Sequence, residues 1–192
     1  MVELEGSGSG AFVKKDLRRA LLTVLRQQFQ LEWRGIHGAP HWARVRWNGL
    51  TMANVNGARC DVVELFAFLH DSRRFCDGLD REHGARAADF TLQLNRELLR
   101  LDRPGLDMLA YAVRYHSEGL IEAEVTVQTC WDADRLDLGR VGITPLAERL
   151  CTEEARDPVL IERAYQRSLR DGEAGGQRPA GRSRRESRRA DR

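Results

Sequence analysis

All five histidines of the 192-residue chain fall in its middle: His37, His41, His70, His83 and His116. His70 is followed directly by Asp71, at the end of the apolar run Leu65-Phe66-Ala67-Phe68-Leu69. That order brings an imidazole and a carboxylate to the edge of a core. A carboxylate there is costly without a counter-charge, and a divalent cation is one good compensation. Taken alone, such a pair more often describes an exposed helix end, here with Asp71 capping the following loop. A second cluster, Trp131-Asp132-Ala133-Asp134-Arg135-Leu136-Asp137, sets three aspartates among apolar residues. Alone it also describes a solvated face, with Asp132 and Asp137 either exposed or supporting a neighbour.

The elements that must position these groups read as helices. Phe12 to Leu31 places Leu17, Leu21, Val24, Leu25 and Phe29 at three- and four-residue steps, with Lys14, Arg18, Arg19 and Arg26 toward solvent. A loop over Gly35, Gly38 and Pro40 leads to a helix from His41 to Asn56, ended by Gly57. Asp61 is expected to cap a central buried helix that runs to His70-Asp71. Ser72 to Glu82 is polar and irregular. Helices are then expected from about Gly84 to Leu101, stopped by Arg103-Pro104-Gly105, and from Leu106 to His116. Glu122 to Val127 alternates like a strand but has no partner. It is therefore read as a loop or as the first turn of a helix through Trp131 to Leu138. Pro145 to Leu150 and Pro158 to Leu169 complete the set. The expected fold is all-α, one bundle of seven or eight helices. Four of the histidines, all but His37, sit at helix starts or ends, and helix ends converge on clefts in a bundle.

Composition narrows the setting. With 42% hydrophobic and 31% charged residues, and no apolar run of membrane-spanning length, the chain reads as a soluble cytoplasmic protein. Its four cysteines form no C-x-x-C pair, which argues against a zinc ribbon or a thioredoxin-like site. Residues 1–11, containing Gly6-Ser7-Gly8-Ser9-Gly10, read as a flexible lead-in or an expression scar, residues 12–170 as the helical domain, and residues 171–192 as a disordered basic tail. The tail carries seven arginines and four acidic residues on a near-neutral body, so no dedicated nucleic-acid partner is indicated. Neither a glycine-rich phosphate loop nor a dinucleotide fingerprint is present.

The order His41-Trp-Ala-Arg-Val, then Leu69-His70-Asp71, then Ala133-Asp134-Arg135-Leu136 resembles the HD-domain superfamily of metal-dependent phosphohydrolases. The resemblance covers roughly residues 37–140, and Trp131 to Gly139 is similar to an Ala-Asp-Arg-Leu-Asp form of small bacterial members. It implies an HD-type helical bundle holding a divalent metal with His41, His70, Asp71 and Asp134. His37 competes with His41 for the first position, which is given to His41 because its helix begins there. Two histidines and two carboxylates suit Mn, Fe, Co, Ni or Zn, with Mg also compatible. One ion is expected. Dinuclear members carry additional histidines between the doublet and the last aspartate, so His83 and His116 are candidates for a second ion or for substrate. Asp71 is the expected catalytic group, positioning or deprotonating a metal-bound water. Arg73 and Arg74, directly after the doublet, are the first candidates for binding phosphate. The expected activity is metal-dependent hydrolysis of a small phosphorylated compound, with a nucleotide as one candidate, by a protein compatible with assembly as a homo-oligomer. The alternatives are an HD-type dinuclear iron oxygenase, using His83 and His116 as well, and a non-catalytic ligand-binding module.

Overall fold

The computed structural model describes residues 12–175, in which seven α-helices are arranged with one of them buried at the centre, and no strand occurs among the described residues. They are α1 (Lys15–Gln28), α2 (Ala39–Asn56), α3 (Cys60–Leu69), α4 (His83–Leu94), α5 (Arg103–Tyr115), α6 (Val125–Arg135) and α7 (Pro158–Gly175). Helix α3 is the hub, packed on α2, α4, α5 and α6. Nine of its ten residues are buried, as its nearly continuous apolar sequence requires.

Crossings near the site depend on small residues. A Cβ on Gly49 of α2 would stand 2.5 Å from Val63 of α3 and 3.2 Å from Ala133 of α6. One on Gly84 would meet the Arg114 carbonyl oxygen of α5 at 2.5 Å. The start of α2 is held by Trp42, whose ring meets Phe29 and Trp33 edge-on at centroid distances of 5.0 and 5.3 Å.

Several sequence expectations are corrected in detail. Asp61 is not the N-cap of α3, a position held by Arg59; it lies in the first turn and pairs with the Arg59 guanidinium at 2.7 Å. The long helix expected to Leu101 gives way after Leu94 to a π-helical turn, Asn95–Leu99. Helix α5 starts at Arg103, three residues earlier than expected. Asp102 caps it by accepting from the Gly105 N–H, and Pro104 falls in the first turn, where no N–H is needed. Glu124 likewise caps α6 through the Thr126 N–H, so the alternating segment is indeed a helix entry. Pro145 to Leu150 forms only a 3₁₀ turn, Ala147–Arg149. Arg18, placed toward solvent, instead pairs with Glu64 at 2.7 Å. Glu64 is fully buried and also accepts from Arg46 and the Val13 N–H, which explains how an acid survives inside an apolar helix. Helix α7 continues to Gly175, past the boundary drawn at 170, and the expectations for residues 1–11 and 176–192 lie outside the described residues.

Candidate metal centre

Five helices deliver one candidate residue or pair each, always from an end. His41 is the third residue of α2, which opens with Pro40 in its first turn. His70 is the C-cap of α3, its N–H still bonded to the Phe66 carbonyl oxygen, and Asp71 follows it. His83 opens α4, His116 ends α5, and Asp134 lies in the last turn of α6. Between α6 and the 3₁₀ turn Leu138–Val141 lies Asp137, fully buried.

The hydrogen bonds set the tautomers. His70 Nδ1 faces the Phe66 carbonyl oxygen at 3.2 Å, His83 Nδ1 that of Asp80, and His116 Nδ1 that of Val113 at 2.8 Å. A carbonyl only accepts, so each Nδ1 carries hydrogen. His41 Nδ1 donates to Asp137 at 2.7 Å, and Asp137 also takes the Arg44 Nε–H at 2.6 Å. Each neutral ring therefore presents Nε2 as a bare lone pair, the arrangement by which a supporting acceptor orients a metal-binding imidazole.

Those lone pairs converge. His41 Nε2 and His70 Nε2 are 2.9 Å apart, and Asp71 Oδ2 lies 3.6 Å from both. Asp134 Oδ1 lies 3.4 and 3.8 Å from the same two nitrogens. On the other side of the same carboxylate, Asp71 Oδ1 stands 3.4 Å from His83 Nε2 and 3.5 Å from His116 Nε2, which are 2.9 Å from each other. Asp71 thus faces two donor groups, one with each oxygen. A spacing of 2.9 Å is close to the roughly 3 Å separating adjacent donors on an ion with metal–nitrogen distances near 2.1 Å.

The two groups differ electrostatically. Burial lowers His41 well below the ordinary histidine value and brings His70 down to about 4, so both are neutral near pH 7. Their facing lone pairs have no proton between them, an unfavourable contact in a dry interior that a shared cation would relieve. Asp71 and Asp134 are held below the usual carboxylate range: burial opposes this, but His70 next to Asp71 and Arg140 next to Asp134 overcome it. Two anionic carboxylates with two neutral imidazoles make a donor set that fits a divalent ion. The second group has other means of satisfaction. Burial works to lower His116, yet its bond to Asp71 prevails and raises it. The Arg74 guanidinium also stands 3.2 Å from His83 Nε2 and 3.4 Å from Asp71 Oδ1.

The site opens into a cavity of about 290 Å³ bordered by Asp71, His83, His116 and Asp134, with Arg74 and Arg140 on its wall. Of the candidates read from sequence, His41, His70, Asp71, Asp134, His83 and His116 are brought together. His37 is not among them: it bonds Asp77 at 2.8 Å. Arg73 is corrected. Its guanidinium bonds Gln28 and lies 4.8 Å over the Phe90 ring, outside the cavity, because successive residues of the turn point to opposite sides. Two residues go beyond the sequence reading. Arg140, 3.5 Å from Asp134, carried no signal beyond its charge. Asp137 was legible only as one of three aspartates. Asp132, the third, is buried, accepting from the Cys151 and Thr152 N–H groups and the Thr152 hydroxyl.

The fold is similar to the crystal structure of a predicted HD superfamily hydrolase from an uncultured Thermotogales bacterium, with a TM-score of 0.61 and 25% sequence identity over 81% of this chain and 89% of that one. The chain belongs to the HD-domain superfamily. No family model and no curated protein matches it. Membership rests on structural likeness together with the His, His-Asp, Asp order, which in this HD domain falls on helix ends that meet.

A pH dependence follows for the metal-free protein. His41, His70 and His83 have values depressed mainly by burial, so their stabilising contribution is full above the ordinary value of 6.5 and is lost as pH falls through the folded values, about 4 for His70. His116 is raised and acts oppositely, its contribution being full below 6.5 and lost as pH rises through its folded value. The raised carboxyls of Asp132 and Asp137 act in the same sense as His116, but the large depressions of His41 and His70 prevail, and the melting temperature of metal-free protein is expected to fall between about pH 6.5 and pH 4. Thermal melts in chelator across that interval check this; a flat profile would contradict neutral, buried imidazoles.

Proposed function

We propose that the protein is a metal-dependent phosphohydrolase for a small phosphorylated compound, holding its principal ion with His41, His70, Asp71 and Asp134. The observation that carries this reading is the facing of two neutral imidazole lone pairs between two anionic carboxylates, beside a cavity walled by Arg74 and Arg140. Bound there, a transition-metal ion such as Mn, Fe, Co, Ni or Zn supplies an acidified water and a Lewis acid for a phosphoryl oxygen.

The chain's own residues do the rest. Arg74 and Arg140 neutralise and orient the phosphoryl oxygens through planar N–H donors. Asp71 Oδ1, on the cavity side, accepts a proton from the attacking water. His116, whose protonated form its pairing with Asp71 favours, borders the cavity and is placed to give a proton to the departing oxygen. The four cysteines are free thiols, in keeping with a reducing cytoplasm. No helix among the described residues is long and apolar enough to cross a membrane.

The test is phosphate release from a panel of phosphomonoesters by protein reconstituted with Mn, Co or Zn. Chelator-sensitive turnover is expected; full metal occupancy without turnover of any phosphoester would reject the activity. The convergence of His83 and His116 on Asp71 favours one second reading, a dinuclear iron oxygenase. Two irons per chain with oxygen uptake on turnover would select it.

A further inference from the structure

The metal-side cavity shares Gly119, Arg135 and Leu138 with a second cavity of about 300 Å³. Its other walls are Ile143, Thr144, Pro145, Leu146, Arg149 and Leu150. We propose that this second cavity is the leaving-group subsite of the phosphohydrolase proposed above, and that the group it takes is apolar, an aryl or compact alkyl alcohol.

The polarity of the two chambers divides sharply. The metal side presents carboxylates, imidazoles and guanidinium groups, whereas the annex presents mainly aliphatic side chains. Ile143 and Leu146 are 53% and 52% exposed, large apolar groups left facing water beside a charged cavity. Such side chains mark a ligand surface more often than an isolated exposed leucine does, because here they line one concavity. Arg135 does not make the annex polar. Its guanidinium donates to the carbonyl oxygens of Leu120 and Arg149 and to the Cys151 sulfur, tying the two walls together. At the shared rim, Gly119 has φ +76° and open space where a Cβ would stand. A residue with a side chain would be strained there and would narrow the passage.

A substrate bridging the chambers would put its phosphoryl group beside Arg74 and Arg140 and its alcohol portion against Ile143 and Leu146. In hydrolysis, a bond forms between phosphorus and the water oxygen while the bond from phosphorus to the leaving oxygen breaks. One water proton stays with the phosphate and the other leaves on the alcohol, with no change of oxidation state. Burying an apolar ring in the annex favours binding in proportion to the area removed from water, so the selectivity should appear in KM.

The test compares naphthyl phosphate, methyl phosphate and adenosine monophosphate as substrates of the metal-loaded full chain, and measures binding of naphthylmethylphosphonate by its fluorescence with and without metal. The expected KM for naphthyl phosphate is at least about tenfold below the other two. Ile143→Asp, which charges the wall, and Leu146→Trp, which fills the space, should each raise that KM and weaken the phosphonate by about tenfold, leaving methyl phosphate within about twofold. Both positions are half-exposed, so neither change strains the core. Variant-sensitive phosphonate binding without turnover of any ester would uphold the subsite and reject the activity. Equal use of all three esters would uphold the activity and overturn the subsite. A preference for adenosine monophosphate indifferent to both variants would also overturn it, in favour of a nucleotide.

Discussion

Asp71→Ala is expected to abolish metal binding at both donor groups at once and to lower kcat/KM on the order of 10³-fold or more, because one carboxylate serves both groups. Its Oδ2 faces His41 and His70, and its Oδ1 faces His83 and His116. Among the described residues, no other is shared by the two groups. His116→Ala should behave differently, removing a donor from the second group while the first keeps its two histidines and both carboxylates. Elemental analysis after dialysis against a weak chelator reads the difference directly, as near-zero metal for Asp71→Ala and at least one ion per chain for His116→Ala. Equal occupancy in Asp71→Ala and the unaltered protein would reject the assignment. Melting curves in the metal-free state separate this from misfolding, since Asp71 lies in a turn and not within the packed face of α3.

The second large effect concerns Asp137, which touches no candidate ion. It accepts from His41 Nδ1 at 2.7 Å and from the Arg44 Nε–H at 2.6 Å, with all three groups buried. Burial pushes its carboxyl up, and the Arg44 bond and charge work against that rise. Asp137→Ala removes the acceptor that sets the His41 tautomer and the carboxylate that Arg44 bonds. The expected cost is about 3–5 kcal/mol of stability, the range for deleting one partner of a buried ion pair. Metal affinity should weaken by about 10–100-fold, the range for loss of a group supporting a metal-bound histidine. Urea denaturation of metal-free protein measures the first, and competition with a chromophoric chelator the second. Asp137→Asn keeps an oxygen toward His41 and should lose less of both. If the asparagine and alanine variants weaken metal binding equally, orientation of His41 is not what Asp137 provides.

The sequence by itself was enough for the helical character of the chain and for the segments that carry chemistry. Periodicity marks α1 and α2, and the continuous apolar run marks α3 as the central helix, because burial on one side or on all sides leaves a local trace. The order His41, His70-Asp71, Asp134 was legible for a related reason. Residues at helix ends are flagged by where the apolar pattern stops, and the family resemblance supplied their grouping. Three kinds of fact were decided only by tertiary structure. Which neighbour of a pair faces the site, Arg74 and not Arg73, His41 and not His37, depends on the rotation of a turn against its packing partner. Which of three aspartates does what depends on distant chain. Asp132 is claimed by the Cys151 and Thr152 N–H groups and Asp137 by His41 and Arg44, leaving Asp134 for the cavity. The inequality of the two donor groups arises because burial neutralises His41 and His70, while the Asp71 bond raises His116 and Arg74 reaches His83. Desolvation and charge proximity are properties of the assembled bundle. Residue type and spacing place the histidines near one another, but only packing makes two of them neutral and opposed.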